Sequence, residues 1–124
     1  MTTLDGLTND SMFRAALDAL DVPIIIHGAS AILFANEAAA RVLHASSADD
    51  LLGIDVSSIV HPDGMDAGRE RRQLMLEQGH RMHEIPLKLR ALDGTTLYAI
   101  VDGKRIEWNG RSAIVIAASS VERE

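Results

Sequence analysis

The 124-residue chain contains no cysteine. That removes disulfide staples, cysteine-ligated zinc, iron–sulfur clusters and thiol catalysis, and it suits a reducing compartment. Aromatic residues are scarce too: two Phe, one Tyr and one Trp are too few for the stacking platforms that hold single-stranded nucleic acids. Basic charge is in deficit, with 12 Lys and Arg against 18 Asp and Glu for a net charge of -6, which argues against binding a phosphate backbone. The one basic cluster interleaves Arg69, Arg71 and Arg72 with Glu70 and reads as a solvated helix face. No run reaches the ~18 apolar residues of a membrane span. The N-terminus carries Asp5 and Asp10 in place of a basic apolar leader, so the expected location is the cytoplasm, away from membranes. Neither a dinucleotide fingerprint nor a nucleoside-triphosphate loop occurs.

What the chain does have is periodicity, in an amount suited to one domain. "NDSMFRAALDALDVP" places Phe13, Ala16, Leu17 and Leu20 on one side at helical spacing, with Asn9 and Asp10 as possible caps and Pro23 as the stop. "PIIIH", "GAS" and "AILFA" read as strand, tight turn and strand. Two short helices follow, "NEAAARVLHA" and "SADDLLG", the second capped by Ser47 and closed by Gly53. After the turn-rich "DVSSIVHPDG", a longer helix is predicted from Asp66 to Gln78, ending at Gly79. The last third holds three long β-prone runs separated by Asp-Gly and Asn-Gly, both strong hairpin signals. The predicted fold is α+β: a five-stranded antiparallel sheet, helices inserted between strands two and three, and an amphipathic N-terminal helix.

Alternation in the long strands adds a second expectation. Ile85, Leu87 and Leu89 share one face, with Glu84, Lys88 and Arg90 on the other. The last two strands, by contrast, are apolar on both sides, so both faces of the sheet need cover. The inserted helices supply one cover. The other falls to the N-terminal helix, a partner subunit, or both.

In that order of elements the stretches "GASAILFANEAAARVLHASSADDLLGIDVSSIVHPDG" and "LKLRALDGTTLYAIVDGKRIEWNGRSAIVIAASSVERE" resemble the PAS family of sensor domains. The resemblance rests on a strand leading to Asn36, a small-residue helix, Leu52-Gly53 after an acidic turn, His61-Pro62-Asp63, and an Asp93-Gly94 hairpin. It implies a flanking helix over residues 1–21, a sensor domain over 22–121 and the start of a linker at 122–124. Two features depart from the family pattern. His44 stands where members often carry Gly. Ser119, Ser120 and Val121 replace an Asp-Ile-Thr whose Asp helps couple the sheet to a following signalling helix.

Asn36 at the strand-to-helix junction suits a cap, with Glu37 near the positive end of the helix dipole. His80 and His83 should point to opposite faces of a strand, so no metal set is expected. Some members of the family bind haem through a His in the long helix. This helix has none, and the Cys that attaches flavin in light-sensing members is absent. No cofactor is therefore expected, with haem and noncovalent flavin disfavoured. His61 with Asp63, or His83 with Glu84, are the acid–base pairs a catalytic reading would need.

The resulting expectation is a regulatory domain without catalysis. It senses a small, largely apolar ligand, dimerises, or does both, and it controls an output domain: a histidine kinase, a cyclic-di-nucleotide enzyme or a transcription factor. Candidate pocket residues are Phe34, Asn36, Leu43, Ile59, His61, Leu74, Leu87 and Tyr98; candidate homodimer residues are Phe13, Ala16, Leu17, Leu20 and Ile100. Two other readings stay open: a dimerisation module with a filled core, and a small stand-alone enzyme using a His/Asp pair.

Overall fold

Asn36 organises the first half of the fold. In the computed structural model, which describes residues 15–124, its side chain is fully buried at the junction expected from the sequence. Oδ1 accepts from the Ala39 N–H, capping a helix, and from the Ile24 N–H across the sheet, both at 3.0 Å. Nδ2 donates to the carbonyls of Val22 at 2.8 Å and Leu17 at 3.0 Å. The amide thus joins the helical residues 15–18, the first strand and the helix it caps, with every polar atom satisfied. Phe13 lies outside the described residues.

The strands are β1 (Ile24–His27), β2 (Ile32–Ala35), β3 (Met82–Arg90), β4 (Thr96–Trp108) and β5 (Arg111–Arg123). Every neighbouring pair is antiparallel, in the order β2-β1-β5-β4-β3. Helices α1 (Glu37–Val42) and α2 (Met65–Gln78) lie between β2 and β3, with 3-10 turns at Ala48–Leu51, Val56–Ile59 and Pro62–Gly64. The expected second short helix is only the first of these turns, and Ser47 makes no side-chain cap there. So short a segment cannot recover the cost of helix nucleation, and Gly53 at φ 84 ends it.

The last hairpin closes through Asn109 and Gly110 at φ 50 and 80, the left-handed pair that a two-residue turn requires. His44, where a Gly is common in the family it resembles, also has a positive φ, 60°. Its ring Nδ1 lies 2.7 Å from Asp93 Oδ2 in the β3–β4 turn, so the imidazole makes a contact that Gly could not. Thr95 and His44 together hold the Asp93 carboxyl down to about 2.

The sheet is covered on both faces. On the inner face, one cluster joins α1 and the turns to the sheet through Ala39, Leu43, Leu51, Ile59 and Leu97. A second joins α2 to the sheet through Met75, Met82, Val101 and Ile114. Gly103 makes room for the two methionines: a Cβ there would sit 2.7 Å from Met82 Cε and 3.2 Å from Met75 Cε. On the outer face Ile26, Phe34 and Ala113 are buried, and Leu17, Ile106, Trp108 and Val115 pack around them. The Phe34 and Trp108 rings stand 6.1 Å apart, tilted by 41°.

Replacing Asn36 with Ala should lower unfolding free energy by roughly 3 kcal/mol or more, because it strands several buried backbone groups at once. Urea unfolding checks this. A loss below about 1 kcal/mol would mean that water or main-chain relaxation satisfies those groups instead.

Candidate functional site

Between α2 and the inner face of the sheet lies a cavity of about 270 Å³. Its walls are mostly apolar: Ile25 from β1, Val56 and Ile59 from the second 3-10 turn, Met75 from α2, Leu87 and Leu89 from β3, and Ile114 and Ile116 from β5. The opening exists partly because Gly64 and Gly68 carry no side chain where α2 begins, with Val60 Cγ1 3.8–4.0 Å from where a Cβ would stand. Polar character comes from His27, Arg71, Arg72 and Lys88.

His27 is placed by strand period: Ile25 and His27 share the inward face of β1. It is 3% exposed. Nδ1 lies 2.9 Å from the Gly28 carbonyl and donates to it, which leaves Nε2 as an acceptor in the neutral ring. Burial pushes the imidazole below its usual pKa; the Gly28 carbonyl opposes that shift and the nearby Arg72 charge adds to it. Arg72 is itself half-buried, and desolvation lowers its pKa against the opposing pull of Asp55. A guanidinium stays charged at neutral pH regardless. Lys88 reaches Asp63 at 2.9 Å, and that contact raises the amine and lowers the carboxyl.

The residues singled out from sequence disperse. Ile59 and Leu87 line this cavity; Leu43 and Ile59 line a smaller void of about 50 Å³ beside α1. Phe34 belongs to the outer face. Asn36 has its hydrogen-bonding capacity filled by the backbone. His61 caps the third 3-10 turn, its Nδ1 accepting from the Asp63 N–H at 3.1 Å. Leu74 is half-buried on α2. Tyr98 is 41% exposed on the outer face, its hydroxyl donating to Glu124 at 3.3 Å. His27, Arg72 and Met75 were not among them. Period two along "PIIIH" was enough to send His27 inward beside Ile25, whereas Arg72 was hidden inside a cluster that reads as solvated.

The pairs weighed for catalysis lie elsewhere. His61 Nδ1 is 3.6 Å from Asp63; His83 Nε2 is 3.8 Å from Glu84 while its Nδ1 is 2.9 Å from Asp102, on a bulge where Glu84 has φ 50. Neither histidine lines the cavity. Ser119 donates to the Ile100 carbonyl at 3.3 Å, at the bulge in the β4–β5 ladder. Among the described residues, no group of three or more His, Cys, Asp or Glu could hold a metal ion, and no helix is long and apolar enough to cross a membrane.

A family model described as the PAS fold matches residues 11–119. Among curated proteins none matches the chain in sequence. Solved structures are similar over nearly all of it. The PAS domain of an HTR-like protein from Haloarcula marismortui has 12% identity and a TM-score of 0.71, covering 95% of this chain and 93% of its own. A domain of a sensory box sensor histidine kinase/response regulator from Geobacter sulfurreducens has 17% identity and a TM-score of 0.65, covering 91% and 96%. The PAS domain of a LuxR-family transcriptional regulator from Burkholderia thailandensis, in complex with ethanol, has 14% identity and a TM-score of 0.67, covering 90% and 96%.

The state of His27 sets a pH dependence. Its folded pKa lies below the unfolded value of 6.5, so the unfolded chain binds the extra proton first and stability falls as pH drops through and below that value. The midpoint of urea unfolding should therefore decline from pH 7 toward pH 5 in the parent. Relative to it, His27→Leu should show a flatter profile over the same window; parallel profiles would mean that His27 is not buried neutral.

Proposed function

The chain belongs to the PAS fold family, and on that premise we propose that it is a regulatory module of a signal-transduction protein, one that takes a small ligand into the cavity beneath α2. The cavity carries this reading: it is walled by side chains from β1, β3, β5 and α2, so an occupant would touch the sheet and the helix together. β5 offers a route outward, since Ile114 and Ile116 border the cavity and the same strand continues to Arg123. Residues 22–121 form the sensing module in this proposal, with 1–21 as a flanking segment and 122–124 leading toward a linker. The output is a histidine kinase, a cyclic-di-nucleotide enzyme or a transcription factor. The Geobacter and Burkholderia proteins support the first and last of these classes, and the ethanol complex supports a small ligand.

Native mass spectrometry of protein purified from cells should reveal a bound small organic molecule. Gly68→Leu should lose it while keeping its circular dichroism, because the new side chain projects from α2 toward Val60. A parent that carries a haem, a nucleotide or a metal, or nothing at all, counts against the proposal.

The module also homodimerises in this reading. Leu17 already packs on its own sheet, leaving Leu20, Val22 and Tyr98 at 47%, 42% and 41% exposure with Ile100 half-buried nearby in sequence to Tyr98. Burying such side chains contributes ~25 cal/mol per Å², against which exposed ion pairs add little. Light scattering over a concentration series should give a dimer for the parent and a folded monomer for Leu20→Asp. A parent that stays monomeric at high micromolar concentration ends the dimer claim.

A further inference from the structure

The cavity's polar groups restrict what can occupy it. Among the described residues the only hydrogen bond of the His27 side chain is the one from Nδ1 to Gly28, so Nε2 is a buried acceptor without a donor. Burial and the neighbouring Arg72 both keep the ring neutral, which preserves Nε2 as an acceptor. The Arg72 guanidinium makes no hydrogen bond or ion pair among the described residues. Asp55 attracts it from a distance, but the Asp55 carboxylate is engaged by Ser57, through the N–H at 2.9 Å and the hydroxyl at 2.8 Å. Of the other cations at the cavity, Arg71 and Lys88, the second is already paired with Asp63. Arg72 also borders a surface hollow of about 420 Å³ beside Asp55 and Ser57, so it stands where the cavity meets solvent.

These are complementary demands: an anion at the mouth, an apolar body and a donor at the buried end. We propose that the ligand is a small carboxylate whose carboxylate group pairs with Arg72 and whose far end donates a hydrogen bond, from a hydroxyl or an N–H, to Nε2 of His27. The inference rests on the reading that the cavity takes a ligand. A neutral ligand leaves the half-buried guanidinium unpaired, and a purely apolar tail leaves Nε2 unpaired; both omissions are costly in a low-dielectric site. Size is restrictive as well, since the cavity is about 270 Å³.

The test uses the full chain and three probes of matched shape, 4-hydroxybenzoate, benzoate and 4-hydroxybenzyl alcohol, measured by isothermal titration calorimetry. On the parent protein 4-hydroxybenzoate should bind about tenfold or more tightly than either other probe, since a hydrogen bond to a charged or buried group is lost in each comparison. Arg72→Gln should erase the preference for acid over alcohol while keeping the preference for the hydroxyl. His27→Leu should do the reverse. The parent series decides the matter even if a variant fails to fold. Equal affinity for acid and alcohol, or for benzoate and its hydroxyl derivative, overturns the inference. No binding by any probe overturns it too; a bound organic molecule in the native mass spectrum would then leave only the broader ligand reading standing, and an empty protein would remove both.

Discussion

A single buried amide fixes how the first third of the chain meets the rest. The Asn36 side chain has two donors and two acceptor directions, and the structure uses them on four backbone groups from separate segments. Because the site is dry, each bond is defined by the cost of leaving it unmade rather than by its modest net strength. This sets the angle at which α1 leaves β2, and with it the position of Ala39, Ala40 and Leu43 over the sheet. The small residues of α1 follow from the same constraint, since Ala38, Ala39 and Ala40 are all buried against that close approach.

α2 is attached differently. Only Met75 of its 14 residues is buried, and its charged side chains occupy much of its length, so it lies across the sheet as a partial cover. The cavity is the consequence of this loose cover combined with glycines at positions 64 and 68. It is also where unsatisfied polar groups gather, in contrast to Asn36, whose groups are all satisfied. A neutral buried histidine beside an unpaired guanidinium is costly for folding and useful for binding. The two ends of the inserted helical region thus differ, α1 closely packed and α2 an open cover.

The outer face is resolved within the chain to a greater degree than alternation alone implies. Leu17 covers Ile26, Phe34 and Ala113, and the Phe34–Trp108 contact fills the space between the β1–β2 and β4–β5 hairpins. What stays exposed is the margin around Leu20, Val22 and Tyr98.

Sequence by itself determined the succession of elements along the chain, the antiparallel connections through Asp-Gly and Asn-Gly, the insertion of helices after β2, and the role of Asn36 as a cap, because each depends on local period, turn chemistry or a neighbouring N–H. It also held the inward direction of His27, in the alternation of "PIIIH". Tertiary structure alone decided the rest. Phe34 and Leu87 look equally suited to a pocket, yet register puts one on each side of the sheet. Asn36 has further bonds, to Ile24, Val22 and Leu17, that no local rule specifies. His44 tolerates a glycine's backbone position beside an Asp 49 residues away in sequence. Arg72 is indistinguishable in the chain from its solvated neighbours; only the packing of α2 over the sheet half-buries it without supplying a carboxylate. Local periodicity encodes which face a side chain takes, whereas vacancy and unpaired charge are properties of how separate elements meet.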